Sequence, residues 1–122
     1  MDKHYATPPG RVTIAPGVLT TIVRVTTQSQ PGVLGLSPRT PATWGRVLGR
    51  GTTAEGMRVE IFEDNSASVD VHIVADPTVS LKDLGETLQA QIAQALEQMT
   101  GMQVRAVNVF VDMVEFGGSA PK

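Results

Sequence analysis

Cysteine is absent from the 122 residues of this chain. Its absence excludes disulfides, thiolate metal centres and cysteine nucleophiles, and it agrees with a reducing compartment such as the cytoplasm. Aromatic residues make up only 4% of the chain, so a core has to be built from Val, Ile, Leu, Met and Ala. Histidine is scarce too, with His4 and His72 alone. No apolar run approaches the ~20 residues that cross a bilayer. The opening "MDKHYATPPG" lacks the apolar stretch of a signal peptide, so export is not expected. What is present is ordinary for a globular chain: 41% apolar residues, enough for one modest core.

The net charge of −2 hides an asymmetry. Residues 1–59 carry seven basic side chains and two acidic ones, whereas residues 60–116 carry ten acidic and two basic, so +5 faces −8. If the halves interleave, the result is a mixed surface, which is the plainer reading. The other reading is a molecule with poles of opposite sign, suited to head-to-tail association.

Along the chain, residues 1–11 read as a flexible tail, 12–116 as a single domain and 117–122, "GGSAPK", as a frayed end. In "VTIAPGVLTTIVRVTTQSQPGV", Pro16 suits the first turn of a helix. Val18, Leu19, Ile22 and Val25 or Thr26 would then share a face. The Thr and Val content argues equally for a strand, so propensity alone leaves the segment open. Residues 35–56, with five Gly and two Pro, read as a long connection with one helical turn near Trp44–Leu48.

The pattern then sharpens. Met57, Val59 and Ile61 alternate with Arg58 and Glu60, and Ala67, Val69, Val71, Ile73 and Ala75 alternate with Ser68, Asp70 and His72. Joined by the turn residues Asp64–Ser66, these are two strands of a hairpin. Ser80–Asp83 resembles a capping box. Leu81, Leu84, Leu88, Ile92, Ala95 or Leu96, and Met99 then recur at helical spacing until Gly101, which predicts an amphipathic helix over about 80–100. In the last strand, 102–116, the apolar phase slips. Met102, Val104 and Ala106 fall on even positions, and Val107, Val109, Val111 and Met113 on odd ones. Either a bulge near Ala106–Val107 restores one face, or both faces are partly covered and Phe110 and Val114 meet another surface. A right-handed crossover would make this strand parallel to 67–75.

The expected fold is therefore α+β. A small mixed sheet of 3–4 strands holds the hairpin 57–75 and the strand 102–116. Helices at about 16–28 and 80–100 pack on one of its faces.

Catalytic signals are weak. His72 and Asp70 read as a surface pair across the pleat rather than a metal set, and no serine sits in a nucleophile elbow. No cofactor or metal is called for. Gly32-Val33-Leu34-Gly35 has the spacing of an RNA-clamping G-x-x-G, but a turn leading into a short strand is the simpler reading, and nucleic acid is not the expected partner. Arg39, Trp44, Arg46 and Arg50 lie on one loop that would suit an acidic partner or an anionic surface. A solvated loop with its Trp folded back is the plainer alternative.

Four patches carry a family resemblance: "VTIAPGVLTTIV", "QPGVLGL", "EGMRVEIFEDNSASVDVHIVAD" and "LGETLQAQIAQALEQMTGMQVRAVNVFVDMV". Across residues 12–116 the chain resembles the alkaline-shock-protein family of envelope stress-response proteins, found mainly in Gram-positive bacteria. The resemblance implies that residues 16–28 are helical. It implies a non-enzymatic cytoplasmic protein that assembles with itself or with a membrane-anchored partner at the inner face of the membrane. No catalytic residue carries over. Arg39, Trp44, Arg46, Arg50, Phe110 and Val114 are the candidate partner contacts. The alternative function is a small module binding nucleic acid or an anionic ligand through the 35–56 loop.

Overall fold

Ser80 opens the long helix as expected. Its hydroxyl accepts from the Asp83 N–H at 3.3 Å, satisfying one of the donors that a helix start leaves unpaired. Gly101 ends the helix at φ 75, and its N–H donates to the Glu97 carbonyl, the left-handed cap that glycine adopts without strain. Between them runs α2 (Leu81–Thr100). Its buried stripe is Leu84, Leu88, Ile92 and Leu96, a strict i, i+4 row. Leu81 and Met99, expected on that face, are 37% and 70% exposed. The row drifts around the helix, and both residues fall beyond the part that meets the sheet.

The computed structural model of the chain describes residues 8–38 and 50–116. Its other elements are α1 (Pro16–Ser29), β1 (Val33–Leu36), β2 (Arg50–Ala54), β3 (Met57–Ile61), β4 (Ala67–Ala75) and β5 (Val104–Val114). The segment that propensity left open is helical. Its buried face is Leu19, Thr20, Val23 and Thr27, not Val18 and Val25, which are 45% and 58% exposed. Two threonines thus belong to the covered face. Thr20 tolerates this because its hydroxyl donates to the Gly17 carbonyl at 2.9 Å.

The sheet has five strands, against an expected 3–4. The additions are β1, which follows the Gly32 turn, and β2, which lies within the segment read as a connection. The expected turn near Trp44–Leu48 falls outside the described residues. β4 is the central strand. On one side it pairs antiparallel with β3 over 67–71 and with β1 over 73–75, so β1 and β3 lie end to end along it. On the other side it pairs with β5 in parallel, with α2 as the crossover between the two strands. β2 pairs antiparallel with β3. Both helices pack on one face, over a core of Leu19, Val23, Met57, Val59, Val69, Val71, Ile73, Leu88, Ile92 and Leu96. The opposite face is covered by no helix among the described residues.

The β3–β4 turn is held by Asp64. Its carboxylate accepts from the Ser66 hydroxyl at 2.6 Å and the Ser66 N–H at 3.0 Å, and Asn65 takes a left-handed φ of 69. These bonds from Ser66, with a smaller contribution from Arg105, lower the Asp64 pKa from 3.8 to about 2. Asp76 is lowered too, by the Thr78 N–H and hydroxyl. A carboxyl depressed in the folded state adds stability that is complete above its unfolded pKa, near 3.8, and fades as pH falls through the folded value. The melting temperature is therefore expected to fall between about pH 4 and pH 2. Asp64→Asn should flatten part of that fall, which thermal melts across a pH series would read. An unchanged acid slope would count against this turn as the cause.

Candidate interaction surface

β5 lies at the edge of the sheet and is its longest strand. Its register explains the phase slip in the sequence. Ala67 pairs with Val104 but Ser68 with Ala106, so Arg105 is an extra residue. Ile73 pairs with Val111 but Val74 with Met113, so Asp112 is a second one. The expected bulge near Ala106–Val107 thus sits at Arg105, and a second bulge was not legible. The first bulge keeps the apolar set on the core face; the second sends Met113 off it and Val114 onto it. Between them Val107, Val109 and Val111 pair with the core residues Val69, Val71 and Ile73. Ala106, Asn108 and Phe110 pair with Ser68, Asp70 and His72 on the open face.

The second bulge changes the expected stripe. Phe110 and Val114 share a face only in an unbroken strand. Here Val114, still 44% exposed, pairs with the core-side Ala75, and Met113 pairs with Val74, which is itself only 7% exposed. The open face therefore presents Phe110 and Met113, 43% and 38% exposed. On β1, Leu34 is also 43% exposed; it is the extra residue where the register with β4 shifts between Val33 and Gly35. Phe116, just past the strand, is 66% exposed. This apolar end adjoins a polar one, where the Asn108 amide donates to Asp70 Oδ1 at 2.8 Å and Arg58 approaches Glu60 at 4.0 Å.

His72 joins the two ends. The expected His72–Asp70 pair does not form as the primary contact. His72 Nδ1 lies 2.9 Å and 3.0 Å from the two Asp112 oxygens, because the bulge turns that carboxylate over the strand. The imidazole also stacks on Phe110, with ring centres 4.4 Å apart and nearly parallel. A histidine and one carboxylate do not make a metal centre. Among the described residues no three His, Cys, Asp or Glu side chains stand close enough to hold an ion.

The free edge is accessible as well. Gln89 of α2 donates to the Val107 carbonyl at 3.1 Å, which shows that this peptide group points away from β4. Peptide groups alternate sides along a strand, so those of Val109 and Val111 face outward too. They line a hollow of about 290 Å³ with Leu81, Gly85 and Gln89. A neighbouring hollow of about 350 Å³ runs on past Ala93 and Arg105. Arg105 closes the start of the edge, its guanidinium 4.0 Å over the Phe62 ring and 3.3 Å from Asp64.

The remaining candidates are not gathered here. Arg39, Trp44 and Arg46 lie outside the described residues. Arg50 begins β2, in the row of Ile61, Ala67 and Val104, at the far end of the sheet from Phe110. Met113 and Leu34 are surface residues that sequence reasoning missed. The signal for Met113 was the phase slip itself, but one bulge cannot be told from two by counting.

The neighbours of this fold fit its topology. The MamM CTD in its copper form superposes with a TM-score of 0.56 at 14% identity, covering 85% of this chain and 91% of that one. A doubly substituted MamM CTD gives 0.56 at 14%, covering 85% and 88%. At such identities the likeness is one of fold. In sequence, the uncharacterized protein YqhY of Bacillus subtilis (strain 168) is 25% identical over 117 residues, 96% of this chain and 86% of that protein. The profile of the alkaline shock protein 23 family, described as having a cell envelope-related function, matches residues 4–116. With a β5 edge and open sheet face where the family motif "VRAVNVFVDMV" falls, and a match over nearly its whole length, the chain belongs to this cell envelope-related family.

Proposed function

We propose that this protein is a non-enzymatic module of the envelope stress response, a single domain over 12–116 that works by docking with a second copy of itself. The observation that carries this reading is the apolar end of the open sheet face. Phe110 and Met113 are 43% and 38% exposed on that face, beside a strand edge where the Val109 and Val111 peptide groups point outward and that of Val107 is held by Gln89. Exposed large apolar side chains that cluster, rather than scatter, mark contact surfaces, and an open edge adds main-chain hydrogen bonds. The bulges at Arg105 and Asp112 leave a regular stretch of six residues, 106–111, long enough for a strand to add. An antiparallel approach of two such edges around Val109 brings Arg105 of one copy beside the acidic end of the other, where Asp112 and Glu115 lie, so charge favours the two-fold arrangement. No helix of the described residues is long and apolar enough to cross a membrane. Placement at the inner face of the cytoplasmic membrane therefore runs, in this reading, through a membrane-anchored partner.

Light scattering behind size exclusion tests this directly. The native chain is expected to grow from 12.9 kDa toward a dimer as concentration rises, with weaker association at high salt. Phe110→Asp should hold it at the monomer mass, because a carboxylate cannot be buried unpaired at the contact. The substituted monomer loses a ring stack worth about 0.5–1.5 kcal/mol, so it should still melt cooperatively. A native chain that stays monomeric at every concentration would sink self-association.

A further inference from the structure

A third hollow lies at the other end of the sheet, on the helix side, and it has a different chemistry. Its volume is about 360 Å³. Ile61 and Met102 form its apolar floor, and Arg11, Thr13, Arg50 and Asn65 stand around it. Four elements meet here: the segment leading into α1, the start of β2, the β3–β4 turn and the passage from α2 to β5. From Met102 to Phe110 the distance is about 25 Å at a rise of ~3.3 Å per residue, so this hollow is separate from the surface described above.

We propose that this hollow binds a phosphoryl group, held between Arg11 and Arg50. The argument starts from how Arg50 is fixed. Its Nη2 donates to the Asn65 side-chain oxygen at 2.6 Å, and Asn65 is itself held by the turn at φ 69. A neutral amide thus positions the guanidinium without cancelling its charge. Arg11 lines the same hollow, and neither arginine is ion-paired with a carboxylate among the described residues. Asp64, next to Asn65 in the chain, is committed to Ser66 and Arg105. The chain is net acidic at −2, so surplus acidic groups exist, yet none lines this hollow. Two cations gathered around a concavity without a counter-charge repel one another until an anion arrives.

The anion's class follows from the donors. Two guanidiniums offer planar forks that match phosphoryl oxygens bidentately. The Thr13 hydroxyl and the Asn65 amide N–H groups add donors. Two positive charges match a phosphate dianion better than a single carboxylate. No acidic residue stands in the first turn of α1, which begins at Pro16 with Ala15 as its cap, just beyond Thr13 and Ile14, so its N-terminal partial positive charge also goes uncompensated. A free phosphate and the phosphate headgroup of a lipid present the same oxygens to this site.

Two arms of one experiment separate these sources. In the first, amide spectra of the full chain are followed during titration with inorganic phosphate and then glycerol phosphate. Saturable shifts are expected at Thr13, Asn65 and Met102, with affinity in the millimolar range. Arg11→Gln and Arg50→Gln should each weaken binding at least about tenfold, the loss of one charge-assisted contact, and the double variant should abolish it. In the second arm, co-sedimentation is measured with phosphatidylcholine vesicles with and without phosphatidic acid. Retention that needs phosphatidic acid and is lost in the double variant assigns the lipid source. Binding of the soluble probes alone assigns the free one. The proposal is overturned if no probe gives saturable shifts at the hollow, or if the double variant binds as the native chain does. Solution mass, read on the same double variant, keeps this outcome separate from that of self-association.

Discussion

Gly56→Ala is expected to destabilise this protein by about 2–5 kcal/mol, the sum of a left-handed backbone penalty and an overpacking penalty. Gly56 closes the two-residue turn between β2 and β3 at φ 77, where an L side chain is strained. An added Cβ would lie 2.9 Å from the Ser37 carbonyl oxygen, 3.0 Å from the Leu36 Cβ and 3.2 Å from the His72 carbonyl oxygen. Two of these three are backbone oxygens, held in place by the bonds that knit the sheet. The His72 N–H donates to the Gly56 carbonyl at 2.7 Å, and the Ser37 N–H donates to the His72 carbonyl at 2.8 Å. The turn is thus packed into the junction where β1 and β3 meet along β4, and nothing there can move aside singly. A fall in melting temperature of roughly 10–20 °C should be seen by calorimetry. Gly85→Ala provides the contrast. It lies mid-helix with nothing within 4 Å of a new Cβ, so the same change there should stabilise by about 0.5–1 kcal/mol. Equal effects at both sites would refute the packing argument.

The second large effect is expected at Ile92. It is fully buried on α2, in the row that presses this helix onto the sheet. Ile92→Ala should cost about 2–5 kcal/mol, from lost burial plus the cavity left behind. Denaturant unfolding would report a lower midpoint with an unchanged slope, the signature of lost stability without a change in exposed surface. Because α2 also carries Gln89, whose amide tethers the β5 edge at Val107, a looser helix should raise hydrogen exchange along β5 before global unfolding. Ile92→Val keeps most of the side chain and should cost about 0.5–1.5 kcal/mol. A loss as large for Val as for Ala would show that shape, not volume, governs the site.

Much of this was legible because local signals and the fold agreed. α2 announces itself by its spacing, by Ser80 at its start and by Gly101 at its end. The β3–β4 hairpin follows from alternation around Asp64–Ser66. The parallel pairing of β5 follows from a crossover through α2 back into the same sheet. Where the reading went astray, a local rule was overridden by what lay across the core. In α1, counting hydrophobic residues pointed to Val18 and Val25, but the sheet is met by Leu19, Thr20, Val23 and Thr27. Thr20 can be buried because its hydroxyl donates a hydrogen bond to the Gly17 carbonyl one turn back. Locally β2 reads as connection, because its five residues, with Gly and Thr at the centre, gain little until β3 supplies a partner.

The interaction surface shows the same division. The sequence by itself determined that β5 is a strand, that its apolar phase breaks and that Phe110 leaves the core set. Only the tertiary structure decided that there are two bulges, since a bulge is a mismatch between two strands and exists only in their register. The second bulge sends Val114 to the helix side, brings Met113 beside Phe110 and carries Asp112 to His72. The pairing of Arg11 with Arg50 around one hollow, 39 positions apart in the chain, was likewise beyond any local pattern. Side-chain periodicity reports which face a residue takes within its own element; which residues meet across elements is set by register and packing.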